Sequence, residues 1–182
     1  YARDITEARQ IEEEREFSEE KFSTAFNANP NLISLIDVET FRRVDVNDSF
    51  CRITGYSRDE LVSADVATED LYLDVEALMR AVQIVREHGS LSNFELQIRT
   101  KSAYSRDLLY SAECIELRSI KYWLVTAEDI TNRKKTEEAL KQSELALRDS
   151  ETRLKAFYDA AFEGIAIAEK GMVVDVNKRI CE

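Results

Sequence analysis

Helix breakers and metal-type ligands are scarce: one proline, four glycines, three cysteines and one histidine in 182 residues. So few breakers exclude a collagen-like or linker-dominated chain and leave room for long helices. Cys51, Cys114 and Cys181 are far apart, form no CxxC pair, and have only His88 to help them. A disulfide framework or structural zinc site is therefore not expected, and a reducing, cytoplasmic setting fits best. Positive charge is in deficit, with 25 basic against 36 acidic residues and a net charge of −11. That argues against nucleic acid and against an anionic lipid surface as partners. No run approaches the roughly 20 apolar residues of a membrane span. There is no secretory signal pattern, and the chain does not begin with methionine, so it reads as a piece of a longer protein. What is present is 44% hydrophobic residues, enough for a core.

The chain repeats itself. Ala2-Arg3-Asp4-Ile5-Thr6 returns as Ala127-Glu128-Asp129-Ile130-Thr131, Ala25-Phe26 as Ala156-Phe157, and Val44-Asp45-Val46-Asn47 as Val174-Asp175-Val176-Asn177. The landmarks keep their order, and the period is itself a domain length. Residues 1–21 are expected to be the tail of one unit with its connecting helix. Residues 22–131 form a complete unit, 132–160 a linker helix, and 161–182 the truncated start of another.

In the complete unit, Leu32–Asp37 reads as a first strand and the alternating Phe41–Val46 as a second, joined through Val38-Glu39-Thr40. Asn47 is positioned to cap a short helix that Gly55 stops, and Ser57 with Glu60 has capping-box spacing. A longer helix from Asp74 carries Val75, Leu78, Met79, Val82 and Val85 as its apolar stripe, ending at Gly89. Phe94, Leu96 and Ile98 alternate in a third strand. Residues 108–117 and 121–130 supply two more strands around a tight turn at Arg118-Ser119-Ile120. Five largely antiparallel strands with helices covering one apolar face make an α+β domain. Beyond Thr131, Leu140, Leu147 and Leu154 fall seven apart with Ala161 continuing the series. The facing layer of Ser143, Ser150 and Phe157 is weaker, a seam suited to a marginal coiled coil between two copies.

Asn47-Asp48-Ser49-Phe50, Thr54-Gly55-Tyr56-Ser57-Arg58-Asp59-Glu60-Leu61, Asn93-Phe94-Glu95 and Asp129-Ile130-Thr131 together resemble the ordered landmarks of the PAS/PAC family of sensor domains. The resemblance implies a five-stranded antiparallel sheet with helices on one face, often a small-molecule pocket between them, and flanking signalling helices. It also implies a bacterial parent with tandem PAS units feeding an output domain, a histidine kinase or alternatively a diguanylate cyclase. One departure is the turn Lys101-Ser102-Ala103, where the family usually carries Asp-Gly.

Heme and flavin are not expected. Heme-binding members place a histidine within the long helix, whereas His88 lies at its end. Flavin-binding members carry an N-C-R-F-L-Q segment, of which Cys51-Arg52 matches only a fragment. No nucleophile–base pair or phosphate loop appears, so no catalytic residue is assigned and this stretch is not expected to be an enzyme. Leu35, Leu78, Met79, Val82, Phe94, Leu96 and Tyr110 are the expected walls of a ligand pocket, the ligand itself being open. Asp129, Ile130, Thr131, Leu140, Leu147 and Leu154 are the expected relay. The expected partners are a second copy through the helices and the neighbouring PAS and output domains of the same chain.

Overall fold

A computed structural model describes residues 2–63, 66, 68–160, 166–170 and 172–176. The chain divides into two units, residues 1–131 and 132–182. The first contains a helix α1 (Ala2–Ala28), strands β1 (Leu32–Asp37) and β2 (Arg43–Val46), and short helices α2 (Asp48–Thr54), α3 (Arg58–Val62) and α4 (Thr68–Leu71). Helix α5 (Val75–His88) and strands β3 (Ser90–Arg99), β4 (Ser105–Leu117) and β5 (Ile120–Asp129) complete it. The five strands form one sheet in the order β2-β1-β5-β4-β3, every neighbouring pair antiparallel. Helix α6 (Thr131–Ala160) follows, then a two-stranded hairpin of β6 (Ala166–Glu169) and β7 (Met172–Val176).

The helix boundaries follow from caps. Asn47 accepts from the Phe50 N–H at the start of α2, and Gly55 ends it at φ 81°, a conformation that costs a side chain about 1–2 kcal/mol. Ser57 and Glu60 form the complete capping box of α3, and Asp74 caps α5 through the Ala77 N–H. Asn47 does more than cap. Fully buried, its Oδ1 also accepts from the Ile33 N–H at 2.9 Å. Its Nδ2 donates to the carbonyls of Phe26, Asn29 and Asn31 at 3.0, 3.4 and 2.9 Å. One side chain thus ties the end of α1, the entry to β1 and the start of α2 together.

Strand β2 begins two residues later than alternation suggests. Asp37 accepts from the N–H groups of Glu39 and Thr40, and the tight turn carries Phe41 at φ 58° before pairing resumes at Arg43. Asp45 pairs with Leu35 but Arg43 pairs with Ile36, so Val44 is an extra, bulged residue. A bulge inverts the face of everything beyond it. Val44 is accordingly 44% exposed and Arg43 turns inward.

The buried stripe of α5 is also displaced from the expected one. Ala77, Ala81 and Val85 are buried, while Val75 and Met79 are 39% and 58% exposed. Small side chains allow the closest approach to the sheet, so the alanines take the contact line and the bulkier residues flank it. At the β3–β4 turn, Ala103 occupies the left-handed position (φ 64°) that glycine usually fills, and the Thr100–Tyr104 hydrogen bonding still closes the hairpin. Arg118 and Ser119 both have positive φ between Leu117 and its partner Ile120, the handedness of a two-residue hairpin.

The first Asp-Ile-Thr copy lies inside α1, not at a strand end as the second does. No strand pairs with it among the described residues, and a strand needs a partner for its backbone groups where a helix does not. The hairpin of β6 and β7 reproduces that of β1 and β2: Ile167 pairs with Asp175 and Ala168 with Val173, leaving Val174 bulged as Val44 is. Asp175 accepts from the Val176 N–H as Asp45 does from that of Val46. Ala161, Asn177 and Cys181 lie outside the described residues, as do residues 162–165 and 178–180 of the expected further unit.

Two outcomes follow. Asn47→Ala removes the cap and leaves buried donors and acceptors unpaired, so the unfolding free energy should fall by about 2–4 kcal/mol in urea titrations followed by the fluorescence of Trp123. Glu60 is held to about 2, chiefly by the Lys101 hydrogen bond (2.6 Å) and then by the Ser57 N–H and hydroxyl. A lowered folded-state value means that its stabilisation is present above the unfolded value near 4.5 and disappears as pH falls towards 2. The melting-temperature gap between the wild-type chain and Glu60→Gln should therefore be widest at pH 5 and above and close by pH 2.

Candidate functional site

Between α5 and the helix-covered face of the sheet lies a cavity of about 410 Å³, within the range of small-molecule sites. Ala81, Val82, Val85 and Leu78 wall it from the helix. Ile36, Leu91, Leu96, Tyr110, Ala112, Trp123 and Val125 wall it from the strands. Strand periodicity explains the inner face: Tyr110 and Ala112 on β4 pair with Ala127 and Val125 on β5, and Trp123 continues that row.

Five of the seven residues expected in a pocket line this cavity: Leu78, Met79, Val82, Leu96 and Tyr110. Met79, more than half exposed, belongs to its rim. Leu35 does not line it. Ile36 does, and neighbouring residues of a strand point to opposite faces. Phe94 does not line it either, packing instead against the larger core cluster with Leu96, Ile98 and Tyr110. The register shifts between Leu91 and Phe94, and this irregularity brings Leu91 to the inner face with Leu96 although the two are five apart.

The polar groups of the cavity are few. Tyr110 and Tyr72 are buried, with their hydroxyls 3.4 Å apart, and the Tyr72 hydroxyl accepts from Nη2 of Arg43 at 3.4 Å. Burial raises the Tyr110 hydroxyl well above the ordinary phenol value, the nearby Tyr72 adds to this, and Arg43 acts in the opposite direction. The Arg43 guanidinium lies 5.7 Å from the Phe50 ring and 6.0 Å from that of Tyr72, and its Nε is buried without a hydrogen-bond partner. At the mouth, Phe41 meets Trp123 edge-on at 5.4 Å and carries the Arg86 guanidinium 4.4 Å above its ring. Alternation alone hides these residues: Arg43 reads as outward-facing until Val44 is recognised as bulged, and Tyr72 lies outside the five strands, bridged to Ile98. Trp123 could have been found by extending the Tyr110–Ala127 parity along β5.

His88 is exposed beside Gly89, and Cys51 packs against the larger core cluster with its thiol shifted up by burial. Neither lines the cavity. Among the described residues no group of three or more His, Cys, Asp or Glu side chains is arranged to hold a metal.

The expected relay residues separate into two groups. Asp129, Ile130 and Thr131 form a clamp at the start of β4: the Ile130 N–H donates to the Asp107 carbonyl at 2.9 Å, and Thr131 Oγ1 accepts from the Asp107 N–H at 2.9 Å. Asp129 accepts from the Thr131 N–H and pairs with Arg106 at 3.5 Å. Ile130 and Thr131 are buried. Leu140, Leu147 and Leu154 instead stand 61%, 61% and 66% exposed on α6.

The family model described as PAS domain matches residues 20–87. No curated protein matches the chain. Among solved structures, a PAS domain from a two-component sensor histidine kinase superposes with a TM-score of 0.55 at 19% identity, over 63% of this chain and 98% of its own. The PAS domain of an HTR-like protein from Haloarcula marismortui gives 0.55 at 18%, over 67% and 99%. A PAS domain from Colwellia psychrerythraea gives 0.53 at 18%, over 62% and 97%. These likenesses are of fold.

Thr131→Val deletes the hydroxyl that accepts from Asp107 while preserving side-chain shape. Unfolding free energy should fall by about 1–2 kcal/mol in the same urea titration, with the far-ultraviolet circular dichroism of the folded chain unchanged.

Proposed function

The chain contains a PAS domain, and from that premise we propose that it is a cytoplasmic sensory and relay module of a bacterial signalling protein. It dimerises through its helices and passes a conformational signal to an output domain. The observation that carries this reading is the clamp at Thr131. Strands β4 and β5 wall the cavity with Tyr110, Ala112, Trp123 and Val125, and the same two strands hold Asp107, Asp129 and Ile130 against the first residue of α6. A change in how the cavity is filled therefore acts on strands that are hydrogen-bonded to the root of the helix.

Three leucines in a heptad column with weak facing positions give α6 a seam of limited strength. Burying each exposed leucine is worth about 1.5–3 kcal/mol, and Ser143 and Ser150 in the facing layer add little. Such an interface can favour either of two arrangements for a few kcal/mol, which is what a relay requires. The duplicated hairpin of β6 and β7 supports a tandem arrangement, with residues 161–182 opening a further unit of the kind that residues 22–131 complete. A histidine kinase is the preferred output because a similar domain comes from one. We assign no reaction to this stretch, and no helix among the described residues is long and apolar enough to cross a membrane.

The cavity favours a second reading beside pure relay, in which the central unit itself binds a small molecule, as a sensor of the kinase or diguanylate cyclase kind would.

Leu147→Asp puts a charge in the middle of the proposed seam. Sedimentation equilibrium should show the dimer dissociation constant rising at least tenfold, while thermal unfolding monitored at Trp123 stays within about 2 °C of the unsubstituted chain, as expected for an exposed site. A wild-type chain that sediments as a monomer, or a variant that dimerises as before, would overturn the relay.

A further inference from the structure

The cavity is apolar and aromatic except for the Tyr72 and Tyr110 hydroxyls and two arginines, Arg86 at its mouth, stacked on Phe41, and Arg43 deeper in its wall. An arginine carries five N–H donors in a planar fork, yet Arg43 makes one hydrogen bond, at 3.4 Å to the Tyr72 hydroxyl, and no ion pair among the described residues. Its Nε is buried and unpartnered. In a chain with 11 more acidic than basic residues, a guanidinium left without a carboxylate at the wall of a cavity is unusual. Arg43 as a whole is half-buried, but a buried donor such as its Nε is costly to leave without an acceptor. The bulge at Val44 is what turns this side chain inward; a regular strand would send it to solvent.

The Arg43 guanidinium lies over the Phe50 and Tyr72 rings, at 5.7 and 6.0 Å, and its N–H donors remain for an acceptor. Beside them is the Tyr72 hydroxyl, which accepts from the Tyr110 O–H and from Arg43, each at 3.4 Å, and so keeps its own O–H to donate to an acceptor. The remaining wall is an apolar socket ending at Trp123. A guanidinium fork with one free phenol donor beside it, and a wall that is hydrocarbon as far as Arg86 at the mouth, matches a planar anion on a compact apolar body. We infer that the cavity takes a small monocarboxylic acid with an aromatic or branched aliphatic body, its carboxylate on Arg43 and the Tyr72 hydroxyl. This rests on the reading of the cavity as a ligand site and goes further by stating the ligand's charge and shape.

The chain's only tryptophan lines the cavity, so occupancy is readable in the unmodified protein. Benzoate, phenylacetate and 4-methylpentanoate, each paired with its amide, are titrated against the 182-residue chain by Trp123 fluorescence, with melting temperature as a second readout. At least one acid should bind ten or more times more tightly than its amide and raise the melting temperature. Arg43→Met should remove that preference while leaving amide affinity within about threefold, and Tyr72→Phe should weaken the acid alone, by two- to fivefold. Should Arg43→Met fail to fold, the acid–amide comparison in the wild-type chain and Tyr72→Phe still decide. Acids and amides binding equally would overturn the carboxylate assignment and leave a ligand site. Binding by none of the six would overturn the ligand-site reading as well.

Discussion

The geometry of the central unit depends on Asn47. Five hydrogen bonds converge on a side chain that no solvent reaches. Oδ1 serves two N–H groups, and the two Nδ2 hydrogens are shared among three carbonyls, the longest contact, to Asn29, being 3.4 Å, so its capacity is fully used. No other residue type of that size offers both an acceptor and a donor in those directions: aspartate would set a negative charge against three carbonyl oxygens, and leucine would leave every one of the groups unpaired. Because the bonds run to the end of α1, to β1 and to α2, Asn47 fixes where the sheet begins relative to the preceding helix. Asp45 and Arg43, two and four residues earlier, inherit their placement from that anchor through the bulged pairing of β2 with β1.

The anchoring also explains why the cavity is not simply filled. Helix α5 approaches the sheet through Ala77 and Ala81, residues that permit close contact but occupy little space. Large side chains could have closed the gap from the sheet. Instead Ala112 is small, and Trp123, buried beside it and Val85, meets Phe41 edge-on at the mouth and still leaves the volume open. Interiors are otherwise packed to near-crystalline density, and unfilled volume of this size forfeits contacts that a few larger residues would restore. Phe41, held at positive φ by the Asp37 turn, adds local backbone strain at the same mouth. Empty volume, an inward arginine and a strained aromatic residue coincide at one location, which is where binding sites place such costs.

What could be read directly was whatever depends on local chemistry. The caps at Asn47, Ser57, Asp74 and Glu60 and the stops at Gly55 and Gly89 are set by neighbours a few residues away, and they fall where spacing puts them. The five strands and their antiparallel connection follow from alternation and short turns. What could not be read were the features that interrupt a period. One extra residue, Val44, reverses the face of Arg43, and the shift between Leu91 and Phe94 adds Leu91 to the face that lines the cavity. In α5 the reason is different: alanine contributes little to an apolar stripe by size. Of the stripe Val75, Leu78, Met79, Val82 and Val85, only Val85 is buried and Leu78 and Val82 are half-buried, while Ala77 and Ala81 take the contact line in place of the exposed Val75 and Met79. Leu35 shows the limit of strand reasoning, since naming the right strand with the wrong parity selects the opposite side of the sheet. Lys101-Ser102-Ala103 shows the reverse case, a substitution at a turn absorbed by a left-handed alanine without loss of the hairpin.

The clamp at Asp129, Ile130 and Thr131 sets the scale on which a relay can operate. One backbone hydrogen bond from Ile130 to Asp107, one from the Asp107 N–H to the Thr131 hydroxyl, and one partly exposed ion pair to Arg106 hold it. Such bonds contribute about 0.5–1.5 kcal/mol each, and a partly exposed pair less than 1 kcal/mol. The whole connection is therefore worth a few kcal/mol, comparable with the difference that a small ligand can impose between two states of its site. A much stronger junction would carry strand movement into the helix but could not yield to it. A much weaker one would fray and carry nothing. The burial of Ile130 supplies the remaining constraint: its side chain anchors the junction in the core beside the two hydrogen bonds to Asp107, so β4 and β5 are the strands through which the proposed relay would reach the first residue of α6.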